Sequence, residues 1–366
     1  MSKRKLKRIT VKIGTRVLTK SNNEIDRKVI REIAGQVSTL LEKGIEVIIV
    51  SSGAIGAGLG LLKLDKKHKS LSELQAIASV GQNHLMDIYN EFLGKKGYIA
   101  GQILLTQEDF DDRRRFLNIR YTLNTLLKYK AVPVINENDS ISTDEIKWGD
   151  NDHLSYLVAD LASSDLLLVL TDVDGLYDDK GQVIGHVDRI SDDIRAFCRG
   201  KGCDVSSGGM LTKLEAAKNT TKAGIPCVIA KGRKKDIILD VAGGKGCGTF
   251  FEASTARIRA RKRWIAYSMK PKGSVIVDEG AAKAIVSGKK SLLPSGIARV
   301  MGKFSDGDVV DVETEAREVI ARGLSNYTSE EISRIKGLKS DRIEKELGYK
   351  DYDEVIHRDN LVMIEE

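Results

Sequence analysis

Two lysines lie beside glycines in segments that could bind an anionic group. Lys12 stands near the end of an apolar run, Ile9–Ile13, and Gly14 comes directly after that run. Lys213 follows Gly209 by four residues, where the spacing predicts the first turns of a helix. A lysine among buried apolar residues is unfavourable unless a negative group meets it, and glycines before a helix expose N–H groups that bind phosphate. Each lysine also fits a side chain that reaches solvent, so neither alone establishes a site.

A run of small residues, SSGAIGAG, occupies Ser51 to Gly58 and follows the apolar segment Glu46–Val50. Small side chains let the backbone approach a ligand closely, and a helix that starts there offers free N–H groups to an anion. The run matches neither the phosphate-binding loop G-x-x-x-x-G-K-[ST] nor the dinucleotide motif G-x-G-x-x-G. It therefore indicates either an anion-binding turn or a tightly packed turn between a strand and a helix.

Carboxylates and amides are concentrated in two neighbouring segments, VINENDS and WGDNDHLS. Together they contain seven such residues: Asn136, Glu137, Asn138, Asp139, Asp150, Asn151 and Asp152. Amides and carboxylates bind the ammonium group of an amino acid and orient its carboxylates. They also hold Mg²⁺ or orient lysines, while the spacing excludes an EF-hand calcium loop. The cluster therefore predicts a second set of binding groups, distinct from the lysines.

Strand-like apolar runs alternate with helix-like segments through about the first 255 residues. The runs that predict strands are Ile9–Ile13, Glu46–Val50, Ile99–Leu104, Val132–Ile135, Leu166–Leu170 and Ile225–Ile229. The segments with helical spacing are Asp26–Lys43, Leu71–Phe92, Phe116–Lys128, His153–Leu161 and Met210–Ala223. This alternation predicts an α/β fold with a mainly parallel sheet and right-handed crossovers. Because ligands bind at the carboxyl ends of the strands in such sheets, the polar segments after strands are the places to look for chemistry.

The pattern changes after a basic segment, residues 257–272. Seven of its residues are Lys or Arg and none is acidic, so this segment alone matches the net charge of +7. From Gly273 onward, short strands and frequent turns predict a small β-rich domain with two helical patches, Gly280–Ser287 and Ser329–Leu347. We therefore expect domains at 1–256 and 273–366, joined by a basic linker at 257–272. The linker is either solvated surface or a local patch for anions or RNA.

Composition argues against several classes of protein. No run of about 18 apolar residues predicts a membrane span, and the basic N-terminus lacks the apolar core of a secretion signal. The cysteines form no C-x-x-C pair, which argues against a zinc site or a disulfide framework. We therefore expect free thiols and a cytoplasmic location. Aromatic residues make up only 5% of the chain, which disfavours RNA binding by base stacking.

Six segments, taken in order, resemble the amino-acid kinase family. They are VKIGT, SSGAIGAG, VPVINENDS, WGDNDHLS, LLTDVDGLY and GGMLTKLEAA. Their combination is far more specific than any one segment, and the resemblance covers about residues 6–255. The part at about 273–357 resembles a PUA domain, a fold that recurs in RNA-modifying enzymes. The resemblance implies a mainly parallel central sheet sandwiched by helices, with a small β-rich PUA-like domain attached.

Within that family, the segments NENDS, GDNDHLS and SSGGMLTK resemble those of members that act on L-glutamate. The resemblance implies transfer of the γ-phosphoryl group of ATP to the γ-carboxylate of L-glutamate, with Mg²⁺ on the nucleotide, as the first step of proline biosynthesis. It also implies proline as a feedback inhibitor, a homo-oligomer and a downstream glutamyl phosphate reductase. Two alternatives stay open: another acceptor such as aspartate, and an RNA-binding protein that acts through the PUA-like domain.

The resemblance also implies roles for particular residues. Lys12 and Lys213 are expected to bracket the transferring phosphoryl group, with Asp152 orienting both lysines. The residues expected to bind the acceptor are Ser52, Asp139, Asn151, Asn136 and Asp150. Those expected at the nucleotide are Lys12, Gly14, Thr171, Asp172, Ser207, Gly208, Gly209, Met210, Leu211, Thr212 and Lys213. No residue is assigned as a direct metal ligand.

The chemistry of the acceptor agrees with these roles. A γ-carboxylate is already ionised near pH 7, so phosphoryl transfer to it needs no strong general base. What the reaction needs is a way to bring two anions together, which cations and amide groups supply. A chain with no obvious catalytic histidine is therefore consistent with this activity.

Overall fold

The computed structural model describes residues 6–20, 24–64, 69–141, 150–199, 209–254, 271–288 and 290–364. The chain divides into two compact units, Met1–Arg257 and Ile258–Glu366. All but the last two residues of the predicted basic linker, 257–272, lie outside the described residues, so its assignment stays a prediction. Among the described helices, none combines the length and the apolar character that crossing a membrane requires.

The first unit alternates strands and helices. Its strands are β1 Arg8–Ile13, β2 Glu46–Val50, β3 Ala100–Leu105, β4 Val132–Glu137, β5 Leu166–Thr171, β6 His186–Val187, β7 Cys227–Lys231 and β8 Thr249–Phe251. Its helices are α1 Thr15–Leu18, α2 Arg27–Glu42, α3 Ala54–Leu62, α4 Leu71–Gly94, α5 Glu108–Asp111, α6 Arg113–Lys128, α7 Asp150–Leu161, α8 Asp192–Ala196, α9 Met210–Lys222 and α10 Ile237–Ala242. Every strand and helix predicted in this part is present, with ends that differ by a few residues.

The strands of this unit form one sheet in the order β3-β4-β2-β1-β5-β7-β8-β6. All neighbours from β3 to β7 are parallel, and β8 runs antiparallel to β7. The prediction of a mainly parallel sheet is therefore confirmed. The carboxyl ends of β1, β2, β4 and β5 meet at one edge, because parallel strands end on the same side of a sheet.

Helices cover both faces of this sheet because its strands are apolar on both sides. In β2, Val47 and Ile49 join a core with α2, α4 and α10. The alternate residues, Ile48 and Val50, join a core on the other face with α6 and α7. Successive side chains of a strand point to opposite faces, so a continuous apolar run is buried on both faces of the sheet. Each of these fully buried side chains contributes about 1.5–3 kcal/mol by leaving water.

Glycines allow α3 and α4 to pack closely together. A Cβ added at Gly81 would lie 1.8 Å from the carbonyl oxygen of Ala54, and one at Gly58 would lie 2.0 Å from that of Ile77. Both neighbours are backbone atoms, which cannot move aside as the end of a flexible side chain can. The close approach brings the middle of α4 against the turn that follows β2.

Gly81→Ala is expected to lower the free energy of unfolding by about 1–3 kcal/mol, because the added methyl group forces two helices apart. Thermal or urea unfolding measures the effect. Gly94→Ala is the matched control, since Gly94 ends the same helix and has no heavy atom within 4 Å of an added Cβ. Its stability should be unchanged or slightly higher. Equal stability of the two variants would contradict the packing argument.

The second unit is a five-stranded sheet with short helices. Its strands are β9 Gly273–Val277, β10 Ile297–Gly302, β11 Val309–Glu313, β12 Val319–Leu324 and β13 Leu361–Met363, in the order β10-β9-β11-β12-β13. Its helices are α11 Glu279–Val286, α12 Ser329–Ile335 and α13 Ile343–Leu347. The second predicted helical patch, Ser329–Leu347, contains two separate helices, because the backbone leaves the helical path at Lys336, with a ψ of 138°, and Gly337 follows with a φ of +75°.

Candidate active site

Two lysines and one aspartate form a buried charged cluster at the carboxyl edge of the sheet. Lys12 Nζ lies 2.5 Å from Asp152 Oδ1, and Lys213 Nζ lies 3.2 Å from Asp152 Oδ2. The hydroxyl of Thr212 donates a third hydrogen bond to Asp152 Oδ2, at 2.7 Å. The side chain of Asp152 is fully buried, and those of both lysines are about nineteen-twentieths buried. One carboxylate therefore holds two ammonium groups together, away from water.

Three separate elements bring this cluster together. Lys12 is the fifth residue of β1, Asp152 is the third residue of α7, and Lys213 is the fourth residue of α9. Helices α7 and α9 pack against each other, which places their first turns side by side. Lys213 Nζ also donates to the carbonyl oxygen of Gly209, the residue that precedes α9, at 3.4 Å.

Burial and charge act in opposite directions on this cluster. Burial raises the pKa of Asp152, but the charges of Lys12 and Lys213 outweigh burial and hold that pKa below its usual value. Burial lowers the pKa of Lys213, as does the charge of Lys12, while Asp152 raises it; the net shift of the Lys213 pKa is downward. The site carries more positive than negative charge, so an additional anion is electrostatically favoured there.

The loop after β1 lies tightly against β5. Gly14 N–H donates to the carbonyl oxygen of Leu170 at 3.0 Å, and a Cβ at Gly14 would come within 3.2 Å of that oxygen. The same Cβ would be 3.9 Å from Lys12 Nζ. Glycine at this position therefore leaves space beside the lysine for another group.

A chain of amide groups lies at the ends of the neighbouring strands β2 and β4. Asn151 Nδ2 donates to Ser52 Oγ at 3.1 Å and to Asn136 Oδ1 at 3.0 Å. Asn136 Nδ2 in turn donates to Gln82 Oε1 at 2.8 Å. Ser52 and Asn136 are buried, and Asn151 directly precedes Asp152 in α7. The predicted acceptor residues Ser52, Asn136 and Asn151 are therefore in contact with one another, beside the charged cluster.

At the end of β5, Thr171 and Asp172 lie next to an arginine that the sequence analysis did not single out. The Thr171 hydroxyl donates to Asp172 Oδ1 at 3.1 Å, and Arg16 Nη1 lies 3.0 Å from Asp172 Oδ2. Burial raises the pKa of Asp172, but the hydrogen bonds from Arg16 and the neighbouring groups lower it below its usual value. Asp172 also acts electrostatically on Lys213. This strand end therefore borders the charged cluster.

The remaining predicted residues are placed less completely. Asp139 is half-buried two residues after β4, and Asp150 is the first residue of α7. Met210 and Leu211 open α9, directly after Gly209. Ser207 and Gly208 lie outside the described residues, so their predicted contacts with the nucleotide stay predictions.

Three contacting residues were missed or only partly anticipated from the sequence. Gln82 lies in the middle of a long amphipathic helix, where a polar residue carries no signal of its own. Thr212 was expected at the nucleotide, and its hydroxyl also donates to Asp152 Oδ2. Arg16 lies two residues after Gly14, and this closeness to the predicted anion-binding segment is the feature of the sequence that could have identified it.

The sequence pattern of the amino acid kinase family matches residues 7–231, so the chain belongs to the amino acid kinase family. Residues 273–347 match the PUA domain. Among curated relatives, a protein named "Glutamate 5-kinase" from Thermoanaerobacter sp. (strain X514) is 47% identical over 364 residues, covering 98% of each chain. One of the same name from Caldanaerobacter subterraneus subsp. tengcongensis is 48% identical over 364 residues. A third, from Pelobacter propionicus, is 44% identical over 99% of this chain and 98% of its own.

Among solved structures, the carbamate kinase of Giardia resembles this chain in fold. The match has a TM-score of 0.50 at 18% identity and covers 68% of this chain and 99% of the other. At that identity the likeness concerns the fold alone. It agrees with the parallel sheet and two helical layers of the first unit.

Proposed function

We propose that this chain transfers the γ-phosphoryl group of ATP to the γ-carboxylate of L-glutamate, giving L-glutamyl 5-phosphate, the first step of proline biosynthesis. The observation that carries the proposal is the buried Lys12–Asp152–Lys213 cluster, which lies directly beside the amide chain of Ser52, Asn136 and Asn151. The curated relatives that match nearly the full length carry the name of this activity. A cationic cluster and a polar pocket side by side suit two anionic substrates that must meet.

The two lysines are proposed to contact the transferring phosphoryl group from both sides. Charge spreads over the equatorial oxygens of this group in the transition state, so fixed cations stabilise the transition state more than the ground state. Asp152 keeps both ammonium groups in place and charged, because it accepts hydrogen bonds from each. These lysines need not reorganise during the reaction, which is the source of the rate enhancement.

The acceptor is proposed to bind through Ser52, Asn136, Asn151, Asp139 and Asp150. Amide and hydroxyl groups donate to the carboxylates of an amino acid, and carboxylate or amide oxygens accept from its ammonium group. The γ-carboxylate attacks phosphorus directly, without losing a proton, because it is already ionised. The product is an acyl phosphate that hydrolyses readily, so we expect a reductase to consume it.

The nucleotide is proposed to bind at the strand end of β5 and the start of α9. Thr171, Asp172, Gly14 and the segment 207–213 are the residues proposed to contact it. Mg²⁺ is proposed to arrive on the phosphates of ATP, where it neutralises their charge. Asp152 is not needed as a ligand of this Mg²⁺, since both of its carboxylate oxygens already accept hydrogen bonds from the protein. No residue of the chain is assigned as a metal ligand.

Other features of the proposed enzyme rest on the family resemblance. They are a homo-oligomeric state and inhibition by proline, while the proposed cytoplasmic location rests on the N-terminal sequence and the cysteines. RNA binding through the PUA-like unit stays an alternative role for that unit, and it can be tested by a salt-dependent shift assay on the full chain. These points do not affect the proposed reaction.

The acceptor is tested by coupling ADP release to L-glutamate, L-aspartate, carbamate and UMP, each with MgATP. L-glutamate should be turned over, and L-aspartate at least about 10²-fold more slowly in kcat/KM. The physical reason is that aspartate is one methylene shorter, which withdraws its nucleophile by more than 1 Å from the phosphoryl group. Turnover of aspartate, carbamate or UMP in preference to glutamate would refute the proposed acceptor while leaving the family assignment intact.

A further inference from the structure

The amide chain has a fixed direction that does not depend on how its nitrogen and oxygen atoms were assigned. The backbone N–H of Glu137 points to Asn136 Oδ1 at 2.9 Å, and a backbone N–H can only donate. The atom that it meets must therefore be the oxygen of Asn136. Asn136 then faces Gln82 with its NH₂ group, and Gln82 must answer with its oxygen.

The same reasoning extends to the other end of the chain. Asn151 also meets Asn136 Oδ1, so Asn151 must present its NH₂ group there. That NH₂ group also donates to Ser52 Oγ, which leaves the proton of the Ser52 hydroxyl free to point elsewhere. In the described part of the chain, Asn151 Oδ1 has no hydrogen-bond partner. One free acceptor and one hydroxyl proton are the two groups that an amino-acid head group requires.

Gln82 closes the buried end of this chain. Its side chain is buried in α4, and among the described residues its Nε2 has no hydrogen-bond partner. Burying a polar side chain with an unsatisfied donor is unfavourable by itself. The placement of Gln82 is therefore explained by the hydrogen bond that its oxygen accepts from Asn136 rather than by stability. Gly81, the preceding residue, lets α4 approach Ala54 closely enough for Gln82 to reach the end of β4. The helix packing and the amide contact are therefore parts of one arrangement.

We propose that Gln82 is a positioning residue for the acceptor pocket, which holds Asn136 and, through it, Asn151 and Ser52 in their binding orientation. The inference rests on the proposed function, since it concerns how L-glutamate is held. Without Gln82, the NH₂ group of Asn136 has no acceptor in a buried position and turns to find one. The contacts of Asn136 with Asn151 are then lost, and the free oxygen of Asn151 is no longer fixed.

The test is a double-mutant cycle in the full-length enzyme. Gln82→Met keeps the length and burial of the side chain but removes its acceptor, and it should raise KM for L-glutamate about tenfold. KM for ATP should change by less than about twofold, because Gln82 reaches the acceptor side of the site only. Asn136→Ala should raise KM for L-glutamate by a similar or larger factor. The double variant should match Asn136→Ala alone, because Gln82 acts through Asn136.

The matched control is Asn83→Leu, which removes an amide from the neighbouring, exposed position of α4 and should leave both KM values unchanged. Effects of Gln82→Met and Asn136→Ala that multiply in the double variant would overturn the inference, as would an unchanged KM in Gln82→Met. If Gln82→Met lowers the melting temperature by more than about 5 °C, Gln82→Leu takes its place in the cycle. Should the wild-type enzyme fail to phosphorylate L-glutamate, the proposed function falls first; an additive cycle in an active enzyme refutes only the role of Gln82.

Discussion

Lys213→Met is expected to lower kcat for L-glutamate by about 10²-fold or more, with a much smaller change in KM for either substrate. The variant keeps the length and the apolar stem of the side chain and removes only its charge. The negative charge on the oxygens of the transferring phosphoryl group is most widely spread in the transition state. Loss of a cation therefore raises the activation barrier more than it weakens the binding of either substrate. Steady-state kinetics with the ADP-coupled assay measures both parameters.

The folded state should tolerate this change. The ammonium group of Lys213 is buried, and burial works against its charged form, so its removal relieves an unfavourable burial. Asp152 keeps Lys12 and the Thr212 hydroxyl as partners in the variant. The melting temperature should therefore stay within a few degrees of the wild-type value.

Lys222→Met is the control, since Lys222 lies on the same helix at an exposed position far along α9. Its kinetics should be those of the wild type. A Lys213→Met enzyme with kcat within about threefold of wild type would remove Lys213 from the catalytic machinery. A collapse of stability instead of kcat would make Lys213 a structural lysine.

The main sheet was predictable because its strands are buried on both faces. Apart from Glu46 at its start, the run EVIIV contains no polar residue that would make a helix or a loop competitive. The edge strand β6 and its neighbour β8 have only two and three residues, too few to show a period of two. The break after α12, at Lys336 and Gly337, lies within otherwise good helical spacing, so the sequence did not separate the two helices of this patch.

The charged half of the candidate site was predictable for a different reason. Lys12 lies near the end of a buried strand and Asp152 lies in the first turn of the helix that follows β4, and the topology of a parallel sheet brings such positions together. The contribution of Gln82 could not be predicted, since 54 residues separate it from Asn136 and nothing in α4 distinguishes it from other helix-lining residues. The contact between Gln82 and Asn136 can be recognised only in the folded structure, where glycines of α3 and α4 pack against the backbone of the other helix. Long-range partners of this kind depend on packing detail that periodicity does not carry.

Asp152→Asn is expected to lower kcat on the order of 10²-fold or more and to destabilise the fold as well. The substitution keeps the shape of the side chain but leaves two buried ammonium groups without a counter-charge. Breaking a buried ion pair in this way costs about 3–5 kcal/mol, since the remaining charges stay desolvated. Thermal unfolding at neutral pH measures the loss. Asp192→Asn, a fully exposed carboxylate on α8, is the control and should change neither stability nor kcat.

The pH dependence of the Asp152→Asn enzyme separates its electrostatic role from a purely steric one. The negative charge of Asp152 raises the pKa of Lys213, against burial and the charge of Lys12, which lower it. Removing that charge lowers the Lys213 pKa further, and a lysine is charged only below its pKa. The residual activity should therefore fall on the alkaline side at a lower pH than in the wild type. Profiles of kcat against pH for the two enzymes measure the shift, and an alkaline limb at the same pH in both would show that Asp152 does not keep Lys213 charged.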